Sequence, residues 1–146
     1  GSSGEYKFVT SAEMKAAIRL ADESKCGVIK GKINSSMAAN ESAVVFAYLK
    51  GQYNESTETQ AQGNSGVMFA RSVTSAKVNA DGSYQLSFLE EGDYEIHIAS
   101  YERNNAGKVT FRSMLNASSS TSGILLNNVM IQAKSQISLN IEISIL

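Results

Sequence analysis

The sequence predicts an all-β protein folded as an antiparallel β-sandwich with Greek-key connections and about seven strands. Two observations lead to this prediction. Apolar and polar residues alternate with a period of two along most of the chain after residue 26. Turn-forming residues separate these runs, and almost no helical spacing occurs there. A chain of 146 residues, 42% of them hydrophobic, is long enough to bury one core between two sheets.

The predicted strands follow from this alternation. In residues 27–33, Ile29, Gly31 and Ile33 share one face. The apolar run 43–49 is rich in β-branched and aromatic residues, which is typical of a central strand. Further strands are predicted within 67–80 (interrupted near Arg71-Ser72), 84–89, 94–99, 124–131 and 137–145, and residues 109–115 form a short apolar stretch.

The connections carry their own signals. Residues 51–66 are polar and too poor in apolar side chains to pack, so they are predicted to form a mobile loop. Asp81-Gly82 and Glu91-Gly92-Asp93 indicate tight turns, which makes 78–98 a predicted pair of hairpin strands. Residues 116–123 are predicted to be flexible.

Composition argues against several classes of function. The formal net charge is -1, so no electrostatic case exists for binding nucleic acid. No apolar run approaches the ~20 residues that span a bilayer, so membrane insertion by this domain is not expected. One cysteine and one histidine cannot form an internal disulfide or a His/Cys zinc site, and no Walker-type loop or GxGxxG motif is present. No cofactor and no enzymatic activity are predicted, because no nucleophile, base and orienting group can be assembled.

Three segments together carry a family pattern of short strands, with two glycines in the first segment and an Asp-Gly turn in the last. They are residues 27–33 (GVIKGKI), residues 43–48 (AVVFAY) and the stretch 78–98, which contains DGSYQL and EEGDYEI. Together they resemble the carboxypeptidase-regulatory-like domains, a family of prealbumin-like β-sandwiches. Members often carry a proline before the second glycine, where this chain has Glu90-Glu91, so the form of that turn stays open.

The resemblance also implies a domain organisation. Residues 1–4 are interpreted as the remnant of an expression tag, residues 5–26 as an N-terminal extension and residues 27–146 as the sandwich domain. Residues 6–22 look like the end of a domain of unknown function that precedes such sandwiches in bacterial envelope lipoproteins. Residues 10–21 fit either a helix or a strand, and the resemblance favours a strand over 16–21.

The function that the resemblance implies is a non-enzymatic structural or interaction module. The expected location is the bacterial cell envelope, in an outer-membrane lipoprotein that is periplasmic or surface-exposed. The expected partner is another envelope protein or a cell-surface glycan.

An alternative function is carbohydrate binding through loop tyrosines. Tyr48, Tyr53 and Tyr101 lie at or near predicted loop ends, and the loop 51–66 adds several amide side chains. An aromatic ring beside amides suits a sugar, whose apolar face stacks on the ring. These three tyrosines are therefore the candidate ligand-binding residues.

Glu95 and His97 could form an acid–base pair, but the alternation places both on the outer face, where a solvent-exposed histidine is expected. Related adhesin sandwiches cross-link a lysine to an asparagine beside a buried carboxylate. Here Lys30, Lys32 and Asn140 also fall on outward positions, which argues against such a bond.

Two further candidates have simpler interpretations. Asn79, Asp81 and Ser83 could offer oxygen ligands to calcium, but an Asx turn explains the same residues. Cys26 could be a reactive thiol, but a small half-buried residue at a strand start is the favoured interpretation.

Overall fold

The computed structural model describes residues 25–34, 41–60 and 67–144. Two five-stranded sheets face each other across one core, which confirms the predicted all-β sandwich. These residues form ten strands rather than about seven. The strands are β1 Gly27–Asn34, β2 Glu41–Leu49, β3 Thr74–Lys77, β4 Ser83–Leu89, β5 Gly92–Arg103, β6 Val109–Met114, β7 Ala117–Ser119, β8 Val129–Ile131, β9 Gln136–Ser138 and β10 Ile141–Ile143, and a short helix α1 spans Glu55–Glu58.

The strand order divides the chain into two sheets. Sheet I has the order β4-β1-β10-β7, with β9 also paired to β1. Sheet II has the order β3-β2-β5-β6, with β8 also paired to β5. The run 43–49 is central, as predicted, because β2 lies between β3 and β5. Within the described part of the chain, no helix has the length and apolar character that a membrane crossing requires.

The core between the sheets is built from alternate residues. Tyr84 and Leu86 of sheet I face Tyr94 and Ile96 of sheet II, and all four are buried. The remaining buried members of this core are Ile29, Ile33, Ala43, Val45, Ala47, Leu89, Ile98, Val129, Ile131, Leu139 and Ile141.

The prediction that residues 78–98 form a pair of hairpin strands is wrong, because each turn carries the chain from one sheet to the other. Strand β3 belongs to sheet II, β4 to sheet I and β5 to sheet II again. The turns themselves are where the sequence placed them: Gly82 has a φ of 89°, and β5 begins at Gly92. A period of two and a tight turn identify strands and a reversal, but they do not specify which sheet the next strand joins.

The interpretation of Asn79, Asp81 and Ser83 as an Asx turn is confirmed. Asp81 Oδ1 accepts hydrogen bonds from the Ser83 backbone N–H at 3.0 Å and from the Ser83 hydroxyl at 2.6 Å. The hydroxyl and backbone bonds from Ser83 hold the pKa of the Asp81 carboxyl below its ordinary value.

Three segments of the second half differ from the prediction. Residues 117–119, predicted to be flexible, form strand β7 on the edge of sheet I. Of the predicted strand 124–131, residues 129–131 form β8, while Leu125 and Asn128 form an isolated bridge across a turn. The predicted last strand, 137–145, is divided between β9 and β10, and residues 145–146 lie outside the described residues.

The division between β9 and β10 has a physical cause at β1. Both strands pair with β1 in parallel, and the chain bends inward between them at Leu139. A Cβ on Gly31 would lie 1.9 Å from the Leu139 carbonyl oxygen, so a side chain at this position is sterically excluded. That carbonyl accepts a hydrogen bond from the Tyr84 hydroxyl at 2.5 Å, and the Leu139 N–H donates to the Lys30 carbonyl at 2.9 Å.

Residues 1–24 lie outside the described residues. The helix or strand predicted over 10–21 and the tag remnant at 1–4 fall in that range. The boundary that separates residues 5–26 from a sandwich domain at 27–146 therefore stays a prediction.

The contact at Gly31 predicts a large effect of Gly31→Ala. The new methyl group would meet a backbone carbonyl, so β1 and the bend between β9 and β10 must separate. We expect the free energy of unfolding to fall by roughly 3 kcal/mol, the upper end for overpacking. The matched control is Gly107→Ala, which has φ 85° and open space and should lose only about 1 kcal/mol. Urea unfolding measures both variants, and equal losses would contradict the assigned role of Gly31.

Candidate functional site

The outer face of sheet II carries a second buried cluster, which we call the aromatic layer. It is covered by the chain between β2 and β3, and its partly buried members include Tyr53, Met68 and Phe111. Sheet II is therefore covered on both faces, although its outer face would otherwise meet solvent. The buried members are Val44, Phe46, Tyr48, Phe69, Ala99 and Tyr101.

The prediction that residues 51–66 cannot pack is wrong for residues 51–60, whereas residues 61–66 lie outside the described residues. Asn54 caps α1, since its Oδ1 accepts from the Ser56 N–H at 3.0 Å. The helix then carries Glu58 inward, where only 2% of this residue is exposed. A carboxylate, rather than an apolar side chain, anchors this segment, which is why a count of apolar residues missed it.

Glu58 joins three parts of the chain. Its Oε1 accepts hydrogen bonds from the Tyr48 hydroxyl at 2.9 Å and from the Arg71 backbone N–H at 2.9 Å. Its backbone carbonyl accepts from the Phe69 N–H at 2.8 Å. A buried carboxylate is tolerated only when such donors satisfy it. Glu58 therefore links β2, α1 and the chain that leads to β3.

Phe69 completes the aromatic layer with a strained backbone. Its φ is 56°, in the left-handed region, which costs a residue other than glycine roughly 1–2 kcal/mol. Its ring stacks on Phe46 with centroids 4.0 Å apart, and its carbonyl accepts from the buried Ser72 hydroxyl at 2.7 Å. These contacts hold a conformation that the isolated segment would rarely adopt.

Tyr53, His97 and Glu95 form the partly exposed end of the layer. The Tyr53 and His97 rings stack with centroids 3.7 Å apart. His97 Nε2 lies 2.6 Å from Glu95 Oε1, while Glu95 Oε2 accepts from the Gly51 N–H at 2.8 Å. His97 lies on the predicted outer face, but Tyr53 covers it, and only 28% of its side chain is exposed rather than the whole ring.

The three candidate tyrosines lie together in this layer, with different exposure. Tyr48 is fully buried and Tyr101 is 3% exposed, so protein neighbours occupy their surroundings. Tyr53 is partly exposed, although its hydroxyl is buried and has no hydrogen-bond partner among the described residues. The ligand-binding role of the three residues stays a prediction, and in this arrangement Tyr53 is the one whose side chain reaches the surface.

The tyrosine hydroxyls at this site remain protonated. Burial raises the pKa of Tyr48 above its ordinary value, and the hydrogen bond to Glu58 acts in the same direction. Burial also raises the pKa of Tyr53, with the nearby carboxylates of Glu55, Glu58 and Glu95 adding to the effect. Both groups are therefore neutral hydrogen-bonding groups rather than bases.

The other candidate residues are placed as their alternation predicts. Lys30, Lys32 and Asn140 are exposed on the outer face of sheet I, and Asn140 Oδ1 accepts from the Lys32 backbone N–H at 3.0 Å. Glu95 belongs to the other sheet, so these groups do not meet in a dry interior. Cys26 is half-buried immediately before β1. In residues 25–34, 41–60 and 67–144, no three His, Cys, Asp or Glu side chains gather as metal ligands.

No protein-family model and no curated protein matches this chain. Among solved structures, it is similar to the major pilin subunit of Bacillus cereus at 18% identity and a TM-score of 0.41, over 82% of this chain. The chain spans 30% of that pilin's length. A candidate carbohydrate-binding protein from Pseudomonas aeruginosa gives 12% identity and a TM-score of 0.36, over 88% of this chain and 95% of that one. These likenesses carry no argument about function, and the resemblance to carboxypeptidase-regulatory-like domains stays a prediction.

The role assigned to Glu58 predicts that two tyrosine substitutions change the free energy of unfolding by different amounts. Tyr48→Phe removes a donor from a buried carboxylate and should lower the free energy of unfolding by about 1–3 kcal/mol. Tyr53→Phe removes a buried hydroxyl that has no partner, so it should leave stability unchanged or slightly increased. Denaturant unfolding of the two variants measures the difference. If Tyr53→Phe proved as damaging as Tyr48→Phe, the assignment of Glu58 as the anchor would be wrong.

Proposed function

We propose that this chain is a non-catalytic structural or interaction module. The observation that carries the proposal is the use of the carboxylates at the candidate site. Glu58 is engaged by Tyr48 and by the backbone of residue 71, and Glu95 by His97 and the backbone of Gly51. A general acid or base must reach a substrate, whereas these groups hold the fold together.

The strand order supports a force-bearing role for such a module. The first described strand, β1, pairs in parallel with the last two, β9 and β10. Force applied at Lys25 and Ser144 acts at opposite ends of this ladder, so it loads the hydrogen bonds together in shear. Because Gly31 and Leu139 interlock at the middle of the ladder, sliding of the strands also meets a steric barrier.

We further propose that the module belongs to a lipoprotein of the bacterial cell envelope, periplasmic or exposed at the surface, with another envelope protein as its partner. This location rests on the sequence resemblance alone. Fractionation of cells that express the full-length precursor tests it, and recovery of the precursor solely from the cytosol would refute it.

A pair of pulling geometries tests the force-bearing role in single-molecule unfolding. In a Cys26→Ser background, handles at Lys25→Cys and Ser144→Cys load the ladder in shear. Handles at Asn34→Cys and Ser144→Cys pull the same strands apart from one end, so the hydrogen bonds break in succession. We expect a clearly higher unfolding force in the first geometry, and equal forces would count against the role.

A second candidate function is carbohydrate binding, favoured by the stacked rings of Tyr53 and His97. Tyr53 is partly exposed, and Glu95 fixes the orientation of the imidazole beneath it. A rigid aromatic pair at a polar surface suits the apolar face of a sugar ring.

Titration with glycans tests this candidate. Tyr53→Ala should abolish binding because it removes the ring, whereas Tyr53→Phe should retain it because the hydroxyl is buried and makes no bond among the described residues. Glycan-array screening followed by titration calorimetry provides the measurement. An absence of binding by the unmodified protein across bacterial and host polysaccharides would remove the candidate.

A further inference from the structure

Strand β5 lacks a continuous neighbour along one edge. β8 pairs with its first residues, Gly92 to Tyr94, and β6 pairs with Ala99 to Arg103. Between these two ladders a cleft of about 210 Å³ opens beside Ile96, His97 and Ile98. This volume corresponds to about seven water molecules at ~30 Å³ each, so the cleft suits a compact ligand.

The backbone of β5 directs polar groups into this cleft. The Ile96 N–H donates to the Leu126 carbonyl at 2.8 Å, and the Ile98 carbonyl accepts from the Leu115 N–H at 2.8 Å. Since the N–H and C=O of one strand residue point to the same edge, the Ile96 carbonyl and the Ile98 N–H face the space between these two bonds. One acceptor and one donor are thus presented side by side.

The same two hydrogen bonds exclude an added β-strand. Leu126 and Leu115 occupy the ladder on either side of the cleft, so an extended peptide could not continue along β5 in either direction. The occupant must enter between them as a compact group. This geometry distinguishes the cleft from an open sheet edge, where strand addition is the expected mode of binding.

The side chains around the cleft combine amides with apolar walls. Asn116 and Asn127 line it, and both residues are exposed. Leu115 and Leu126 supply apolar surface, and His97, whose imidazole is held by Glu95, also lines the cleft. No lysine, arginine or carboxylate lines the cleft, so an ionic ligand would lack a partner of opposite charge.

We propose that this cleft binds a neutral hydroxylated ligand the size of one pyranose ring. Sugar hydroxyls both donate and accept, as the two backbone groups and the two amides require, and the ring's C–H face fits the leucine walls. The inference rests on the carbohydrate-binding function proposed for Tyr53, because His97 belongs to both places. It adds a second contact region beside His97.

The test is titration of the ¹⁵N-labelled protein with D-glucose, D-galactose and N-acetyl-D-glucosamine, followed by amide chemical shifts. We expect saturable shifts at Ile98 and Asn127 with at least one sugar and a Kd of roughly 1–10 mM. Asn127→Ala should weaken this binding about tenfold, the loss of one hydrogen bond. The matched control is Asn128→Ala, an exposed neighbour outside the cleft lining, which should bind like the unmodified protein.

Each outcome decides between the two regions. Shifts confined to Tyr53 and its neighbours would overturn the cleft and leave carbohydrate binding at Tyr53 standing. Shifts at neither region would overturn both. Equal affinities of Asn127→Ala and Asn128→Ala would show that the cleft amides do not recognise the sugar, and would overturn the inference even if binding occurred.

Discussion

The close approach of the Leu139 carbonyl to Gly31 is the constraint on which sheet I depends. It lets the chain bend inward between β9 and β10 so that both strands pair with β1. The Tyr84 hydroxyl of β4 donates to the same carbonyl, so β1, β4 and the bend between β9 and β10 meet at one oxygen atom. A side chain at residue 31 would separate them. The absence of a side chain at Gly31 is therefore as necessary for the packing of the core as the isoleucines that fill it.

Sheet II is organised around a different kind of contact. Its inner face packs against sheet I through apolar side chains. Its outer face is covered by a polar segment that the buried carboxylate of Glu58 holds in place. Glu58 accepts from β2 and from the chain before β3, and Phe69 is held in a strained conformation beside it. Hydrogen bonds to a charged acceptor are stronger than those between neutral groups, which offsets the burial of Glu58 and the strain at Phe69. The segment closes over Phe46 and Tyr48 as a consequence.

The two proposed functions draw on different parts of the molecule. The parallel ladder of β1 with the last strands suits the transmission of force through the sandwich. The Tyr53 and His97 pair and the cleft beside β5 lie together at the other sheet, where polar groups surround small apolar areas. The carboxylates of Glu58 and Glu95 nearby accept hydrogen bonds from groups within the protein.

The sequence alone predicts the position of most strands, the turns at Asp81-Gly82 and Gly92, and the outer-face position of His97, because these depend on a period of two and on local backbone preferences. It also predicted that Lys30, Lys32 and Asn140 point outward. Three-dimensional packing sets the sheet to which each strand belongs, the bend at Leu139 and the burial of Tyr48, Tyr101 and Glu58. Those features depend on contacts between residues far apart in the chain, such as Gly31 with Leu139 and Ile98 with Leu115. Local hydropathy patterns do not indicate such contacts. They therefore predict a free loop over residues 51–60, although Glu58 anchors this segment to the sheet.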